Sequence, residues 1–249
     1  HLIRMMVGLG MTETSPSCLF STGGVIGAGY VGLPAPGCEV KLVPVDDKLE
    51  ARMRGPHVMP AYWRNPEQTR EVFDEEGYYC TGDALKFVDD AEPALGLVFD
   101  GRIAEDFKLS SGTFVSVGPL RARVITTGAP YVQDVVVTGV NRDDIGLLVF
   151  ARVADCRQLA GLGEEADLFE VMTHQTVRDY FKDLLVRVNK TATGSANRVA
   201  WIRLLETPPS IDHSEVTDKG SINQRAVLTR RADLVEALYN HLDPFVIKA

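Results

Sequence analysis

Around Asp100-Gly101-Arg102-Ile103-Ala104-Glu105-Asp106-Phe107-Lys108 the texture of this 249-residue chain changes, and that joint limits what it can fold into. Before it, runs such as Glu39-Val40-Lys41-Leu42-Val43 and Lys48-Leu49-Glu50-Ala51-Arg52-Met53-Arg54 alternate like half-buried strands. Turn chemistry separates them, as in Leu33-Pro34-Ala35-Pro36-Gly37 and Gly55-Pro56. Strands this short with turns this frequent predict a small barrel or a distorted sheet. After the joint come a hairpin, a long amphipathic helix and a polar tail. Arg102 closes the first body and Lys108 leads the second, so the expectation is two domains that share one polyanionic ligand. The length allows one large domain or two modest ones, with a real core to bury.

Several elements follow from local pattern. Asn65 before Pro66-Glu67-Gln68-Thr69 predicts a helix start, with Asn capping and Pro at the first helical position. Tyr78-Tyr79-Cys80 is a short strand that ends at Thr81-Gly82-Asp83. Val135 to Val140 and Ile145 to Ala151, joined by Asn141-Arg142-Asp143-Asp144, predict a hairpin. Thr173 to Ala192 is helical, because Val177, Tyr180, Phe181, Leu184, Leu185 and Val188 keep the spacing of a buried stripe. Val199 to Leu205 is a strand, and Gln224 to Leu242 a final helix.

Composition excludes some classes. At 45% hydrophobic and 24% charged residues the chain has an ordinary globular composition. No apolar run approaches the ~20 residues of a membrane helix, and no basic-then-apolar leader opens the sequence. A net charge of -8 argues against nucleic acid as a partner. Residues 1–103 hold 9 Lys and Arg against 15 Asp and Glu, and residues 104–249 hold 17 against 19. The second part therefore carries most of the cations able to meet phosphate. Cys18, Cys38, Cys80 and Cys156 are far apart, without a Cys-x-x-Cys pair or a His at ligand spacing, so neither a zinc site nor a disulfide framework is expected. Four reduced thiols in a cytoplasmic protein is the expectation.

Two polar stretches stand out. In Gly8-Leu9-Gly10-Met11-Thr12-Glu13-Thr14, glycine lets backbone approach a ligand, and a hydroxyl beside a carboxylate can hold a phosphate oxygen and its Mg²⁺. A plain turn is the simpler reading of that stretch alone. In Thr81-Gly82-Asp83 a carboxylate at a strand end could accept hydrogen bonds from a ribose diol, and a surface Asp in a turn is its simpler reading.

The motifs together resemble the adenylate-forming enzymes: acyl-CoA and aryl-CoA synthetases, luciferases and adenylation domains. Gly8 to Glu13 is similar to their glycine-aromatic-glycine-x-Thr-Glu motif. Gly32-Leu33-Pro34, Pro36-Gly37 and Glu39-Val40 are similar to the connecting segment. Arg54-Gly55 with Ala61-Tyr62-Trp63 and Thr69 resembles the next motif, and Thr81-Gly82-Asp83 the one after. Gly101-Arg102 through Lys108 and Gly112 resembles the hinge motif, and Asp218-Lys219-Gly220 to Arg225 the terminal motif that carries a catalytic lysine. Asp106 to Gly112 and Thr217 to Arg225 look most like feruloyl-CoA synthetases.

The resemblance implies an α+β chain. Residues 1–103 would be the C-terminal, β-rich and distorted barrel-like subdomain of a large adenylating domain, and residues 104–249 a small mobile α+β lid. It implies that Gly10, Thr12, Asp83 and Arg102 bind nucleotide, that Glu13 holds Mg²⁺, and that Ala104 and Glu105 form the hinge. Lys108 would serve thioester formation. The substrates implied are ATP, coenzyme A and an aromatic or other carboxylic acid, with a homodimer as an assembly to test and neither nucleic acid nor membrane as a partner.

The chain departs from the pattern in places. Leu9 replaces the aromatic, at a cost of roughly 1 kcal/mol of stacking. Ala104 stands where a hinge Asp or Lys is common, and Ser110-Ser111-Gly112 is one residue longer than usual. Ser221 occupies the catalytic-lysine slot. In an extended segment residues 219 and 221 share a face, so Lys219 is expected to supply the cation for adenylation. The family's phosphate loop is missing, so the chain by itself is expected to be the inactive last part of a synthetase. The alternatives are the adenylation domain of a carboxylic acid reductase, against which the short stretch after Tyr239 argues, and a non-catalytic nucleotide- or CoA-binding module.

Overall fold

The computed structural model describes residues 6–21, 27, 29–240 and 245–248. The chain divides between Ala104 and Glu105 into two compact units.

The first unit is built on β1 (Gly8–Leu9), β2 (Leu19–Phe20), β3 (Tyr30–Pro34), β4 (Glu39–Val45), β5 (Lys48–Arg54), helix α1 (Pro66–Glu71), β6 (Tyr79–Phe87) and β7 (Leu97–Arg102). The strands form one sheet in the order β1-β2-β3-β7-β6-β5-β4. Among the described residues β1 and β4 are the edges of the sheet and no barrel closes, so barrel-like describes it only loosely. β4 and β5 pair without a slip from Glu39↔Arg54 to Val45↔Lys48, because Asp46 takes a left-handed φ of 50° that Asp tolerates in a tight turn. Period-2 alternation puts Ala51 and Met53 into a small core with Leu19, Val31, Leu85 and Leu97. Asn65 caps α1 by accepting from Gln68 N at 3.1 Å, with Pro66 at its first position.

A second correction concerns Thr81-Gly82-Asp83, which is not the end of a strand. β6 runs on through it to Phe87, and its pairing with β5 and β7 slips on either side. Gly82 has φ +70°, and the bulge is held by Thr81 Oγ1 donating to Ala51 O at 2.6 Å and accepting from Asp83 N at 3.0 Å. A bulge re-aims the side chain beside it, and here that side chain is Asp83.

The second unit opens with the two-stranded pair β8 (Phe107–Lys108) and β9 (Phe114–Val115). It continues through α2 (Val117–Thr127), β10 (Val132–Thr138), β11 (Ile145–Ala151), α3 (Val153–Ala160), α4 (Leu168–Thr173), α5 (Gln175–Asn189), β12 (Val199–Leu204), α6 (Gln224–Arg230), α7 (Ala232–Tyr239) and β13 (Val246–Lys248). The sheet order is β10-β11-β12-β13, with β11 and β12 parallel. Every residue of β11 is buried, as a continuous apolar run needs when helices cover both faces. Val135, Val137, Leu147 and Val149 pack with α2 and α5 on one side. Val136, Leu148 and Phe150 pack with α6 and α7 on the other. The α5 stripe buries Val177, Phe181, Leu184, Leu185 and Val188.

The expected single helix from Gln224 to Leu242 is two helices, with Leu242 outside the described residues. The break is at Arg231 (φ −104°, ψ 33°). Its guanidinium donates to both Glu215 oxygens at 2.9 and 2.8 Å and to Thr207 O and Pro208 O. That set of acceptors outweighs one more turn of continuous helix. Periodicity also missed α2, α3 and α4, which are short and begin in mixed sequence. Among the described residues no helix is long and apolar enough to cross a membrane.

Candidate functional site

In the first unit, the stretch that begins with Gly10 folds into a 3₁₀ turn over Thr12–Thr14. Thr14 ties the turn to itself: its hydroxyl accepts from Met11 N at 3.0 Å and donates to Met11 O at 3.1 Å. A Cβ at Gly10 would stand 1.7 Å from Pro16 O. Gly10 is therefore needed for the chain to fold back on itself, a demand separate from any ligand. Thr12 is exposed and Glu13 half-buried. Leu9 packs against the unit's core.

Glu13 is held at both ends. Its carbonyl accepts from Met59 N at 2.7 Å, and its Oε1 accepts from the Tyr62 hydroxyl at 3.0 Å. Burial first, and the Glu13 carboxylate after it, push the Tyr62 phenol above its ordinary value. Burial and then the bond to Tyr62 push Tyr79 up as well, and the Glu13 and Asp83 charges act in the same direction. Both carboxylates thus help keep the Tyr79 phenol protonated.

Asp83 pairs in register with Arg102 across β6 and β7. Arg102 Nε stands 3.5 Å from Asp83 Oδ1, with the carboxylate side chain 8% exposed and the guanidinium 65% exposed. A buried acceptor next to an accessible cation suits a ligand that brings hydroxyl donors and negative charge together. Thr12, Glu13 and Tyr62 offer oxygen donors only, the set that a hard cation such as Mg²⁺ takes. Tyr62 and Tyr79 had no assigned role in the sequence. The signal for Tyr62 was its place in Ala61-Tyr62-Trp63.

The residues at the boundary form another single 3₁₀ turn, Ile103–Glu105, which contains Ala104. In the second unit Lys108 is exposed on β8. Its strand is fixed by Asn141 N donating to Lys108 O at 3.1 Å. The extra residue in Ser110-Ser111-Gly112 is taken up by a turn in which Gly112 N donates to Leu109 O at 2.9 Å.

Lys219 is exposed, and the geometry expected for it is corrected. Residues 217–221 are not extended. Thr217 N donates to Ser221 O at 2.8 Å, Gly220 N to Thr217 O at 2.8 Å, and the Thr217 and Ser221 hydroxyls lie 2.7 Å apart. Lys219 sits at the tip of this closed turn, so the argument from a shared strand face does not hold. Gly220, with φ +78°, makes the closure available.

The cysteines are free, but the sequence spacing concealed a neighbour in space. The fold brings Cys18, Cys38 and His57 together, with their ligand atoms all within 4.8 Å of one another. Spacing could not show this, since each residue comes from a different loop.

Comparison with known proteins places the chain in a family. Residues 107–243, more than half of it, match the model of the AMP-binding enzyme C-terminal domain. The long-chain-fatty-acid–[acyl-carrier-protein] ligase AEE15 of Arabidopsis thaliana is 24% identical over 248 residues, which is 94% of this chain and 32% of that protein. The adenylation domain of carboxylic acid reductase from Segniliparus rugosus, solved with AMP and a co-purified carboxylic acid, aligns with a TM-score of 0.71 at 24% identity. That alignment covers 96% of this chain and 36% of the solved one. The anthranilate CoA ligase AuaEII, solved with anthranoyl-AMP, aligns with a TM-score of 0.65 at 23% identity, over 94% of this chain and 40% of that one. The chain thus spans about a third of the length of the curated relative and somewhat more of the solved chains. On the match over its second unit, the chain belongs to the AMP-binding enzyme C-terminal domain family of the adenylate-forming superfamily.

Proposed function

We propose that this chain is the closing part of an ATP-dependent acid–thiol ligase of the feruloyl-CoA synthetase type. Residues 1–103 would complete its large adenylating domain and residues 104–249 would be its lid. In the first half-reaction a carboxylate oxygen attacks the α-phosphorus of ATP and pyrophosphate leaves, giving an acyl-adenylate. In the second, the thiol of coenzyme A attacks the acyl carbon and AMP leaves, giving the thioester.

The observation that carries the reading is the Asp83–Arg102 pair, a buried carboxylate with an accessible guanidinium, two residues before the boundary between the units. Asp83 would accept from the ribose hydroxyls, and Arg102 would meet the adjacent negative charge. Glu13 and Thr12 would hold the Mg²⁺ that arrives with ATP, and the metal would neutralise phosphate charge. Two half-reactions with different nucleophiles need different cations, and the second unit offers exposed Lys219 for adenylation and Lys108 for thioester formation. Ala104 and Glu105 would absorb the dihedral change between the two steps. The aromatic acid rests on the likeness of Asp106 to Gly112 and of Thr217 to Arg225 to feruloyl-CoA synthetases.

The test is ATP–pyrophosphate exchange with ferulate by the longer enzyme that carries this chain. Ferulate-dependent exchange is expected. Lys219→Ala should abolish it while sparing thioester formation from supplied feruloyl-AMP, and the 249-residue chain alone should be silent. No exchange with retained AMP binding would instead make the protein a nucleotide-binding module.

A further inference from the structure

We propose that Cys18, Cys38 and His57 form a binding site for a thiophilic divalent cation of the zinc type, inside the first unit and separate from the Glu13 site. The three ligands come from three places: Cys18 just before β2, Cys38 just before β4, and His57 in the loop after β5. Their donor atoms lie within 4.8 Å of one another, and Cys18 Sγ is 3.6 Å from His57 Nε2. In a tetrahedral zinc site, bonds of about 2.3 Å to sulfur and about 2.0 Å to nitrogen put S and N about 3.5 Å apart and two sulfurs about 3.8 Å apart. The measured S–N edge is already close to that length. With every ligand atom within 4.8 Å of the others, the sulfur–sulfur edge needs to close by about 1 Å at most and the second sulfur–nitrogen edge by about 1.3 Å at most.

The backbone holds the three residues in place. Ala35 N donates to Cys18 O at 2.8 Å and Cys38 N donates to Ala35 O at 2.9 Å, which locks the two cysteine segments together. The imidazole lies against bare backbone: a Cβ at Gly55 would stand 2.6 Å from His57 Cε1 and 2.8 Å from Nδ1. Any side chain at Gly55 would push the ring off the sulfurs. Cys18 is fully buried and Cys38 9% exposed, among Leu19, Val31, Ala51 and Met53.

Two thiolates and an imidazole are a soft donor set. It selects zinc-like ions over Mg²⁺ or Ca²⁺, which the oxygen donors around Glu13 would take instead. Three protein ligands leave a fourth position for water or another small ligand. The site also has a consequence for its neighbour. Cys18 follows the Thr12–Thr14 turn closely in the chain, and His57 lies two residues before Met59, whose N–H holds Glu13 O at 2.7 Å. A bound cation would therefore tie down the segments that carry Thr12 and Glu13.

The test is titration of the reduced 249-residue chain with Co²⁺ as a spectroscopic probe, followed by displacement with Zn²⁺. Expected is a thiolate-to-cobalt charge-transfer band, with the visible bands of a four-coordinate ion, that saturates at one equivalent and is bleached by Zn²⁺. Cys18→Ser, Cys38→Ser and His57→Asn should each weaken binding at least tenfold. The double variant Cys80→Ser/Cys156→Ser should bind as the original does. Protection of Cys18 and Cys38 from alkylation by Zn²⁺, read by mass spectrometry on the unsubstituted chain, makes the result independent of how well the variants fold. No charge-transfer band in the reduced protein would overturn the proposal. So would a band that survives in Cys18→Ser and Cys38→Ser, or cysteines that take up no metal when reduced and only form a disulfide in air.

Discussion

Two acid–arginine pairs, one in each unit, are built in opposite ways. Glu215 in the second unit is fully buried, and Arg231 is 5% exposed. The guanidinium grips both carboxylate oxygens at 2.9 and 2.8 Å, Ser210 N donates to Oε2 at 2.8 Å, and Arg230 adds a contact at 3.2 Å. Arg231 also lies over the Phe150 ring, 5.0 Å from its centroid. Asp83 in the first unit is nearly as buried, yet its arginine is 65% exposed and 3.5 Å away. Saturated acceptors have nothing left for a ligand, so the Glu215 pair is a structural tie that sets the break between α6 and α7. A buried carboxylate whose cation stands in solvent leaves that cation able to meet an incoming phosphate. Burial of an acid therefore does not mark a site. The state of its counter-ion does.

The comparison can be broken at its strongest point first. Glu215→Gln removes the charge that Arg231 is buried against, and breaking such a pair costs about 3–5 kcal/mol. Thermal or urea denaturation should register that loss, and a change under about 1 kcal/mol would mean that the pair is no more than a surface contact. Acid sharpens the same point. The bond from Arg231, against the opposing effect of burial, lowers the Glu215 carboxyl from its ordinary 4.5 to about 2. A depressed folded-state value contributes stability in full above pH 4.5 and loses it as pH falls through about 2. The difference in melting temperature between the original chain and Glu215→Gln should stay constant from pH 7 to about 5 and shrink towards pH 2. A difference that widened in acid would reverse the assignment.

The smallest expected effect is on the first unit. Asp83→Asn should cost less stability than Glu215→Gln, because its guanidinium stands in solvent while that of Arg231 is buried. In the longer enzyme it should weaken AMP binding by about 10–100-fold, the worth of hydrogen bonds to a charged group. Calorimetric titration with AMP beside a melting curve separates the two. Equal AMP affinity in Asp83→Asn would leave the Asp83–Arg102 pair as structural as its counterpart.

Much of the outline was legible without coordinates, and the reason is locality. The change in texture at Arg102 to Lys108, the stripe from Val177 to Val188, the cap at Asn65 and the apolar run Ile145 to Ala151 all depend on residues within a few positions of each other. So do the motifs that place Glu13, Asp83 and Lys108 in the chain. Most of the features that coordinates had to supply are non-local. The Gly82 bulge depends on strands on both sides of β6. The break at Arg231 depends on Glu215, 16 residues earlier. The closed turn under Lys219 is local, Thr217 meeting Ser221 four positions on, but no turn preference of those residues announced it.

What the amino-acid order determined by itself is the strongly periodic elements, such as the α5 stripe and the β4–β5 and β10–β11 hairpins, and which residue types are available for chemistry, because those depend on periodicity and turn preference. What only tertiary structure decided is which polar groups meet. Glu13 reaches Tyr62 across 49 positions, and Cys18 reaches His57 across 39. Contacts at such separations are set by the packing of the sheet rather than by any preference written along the chain.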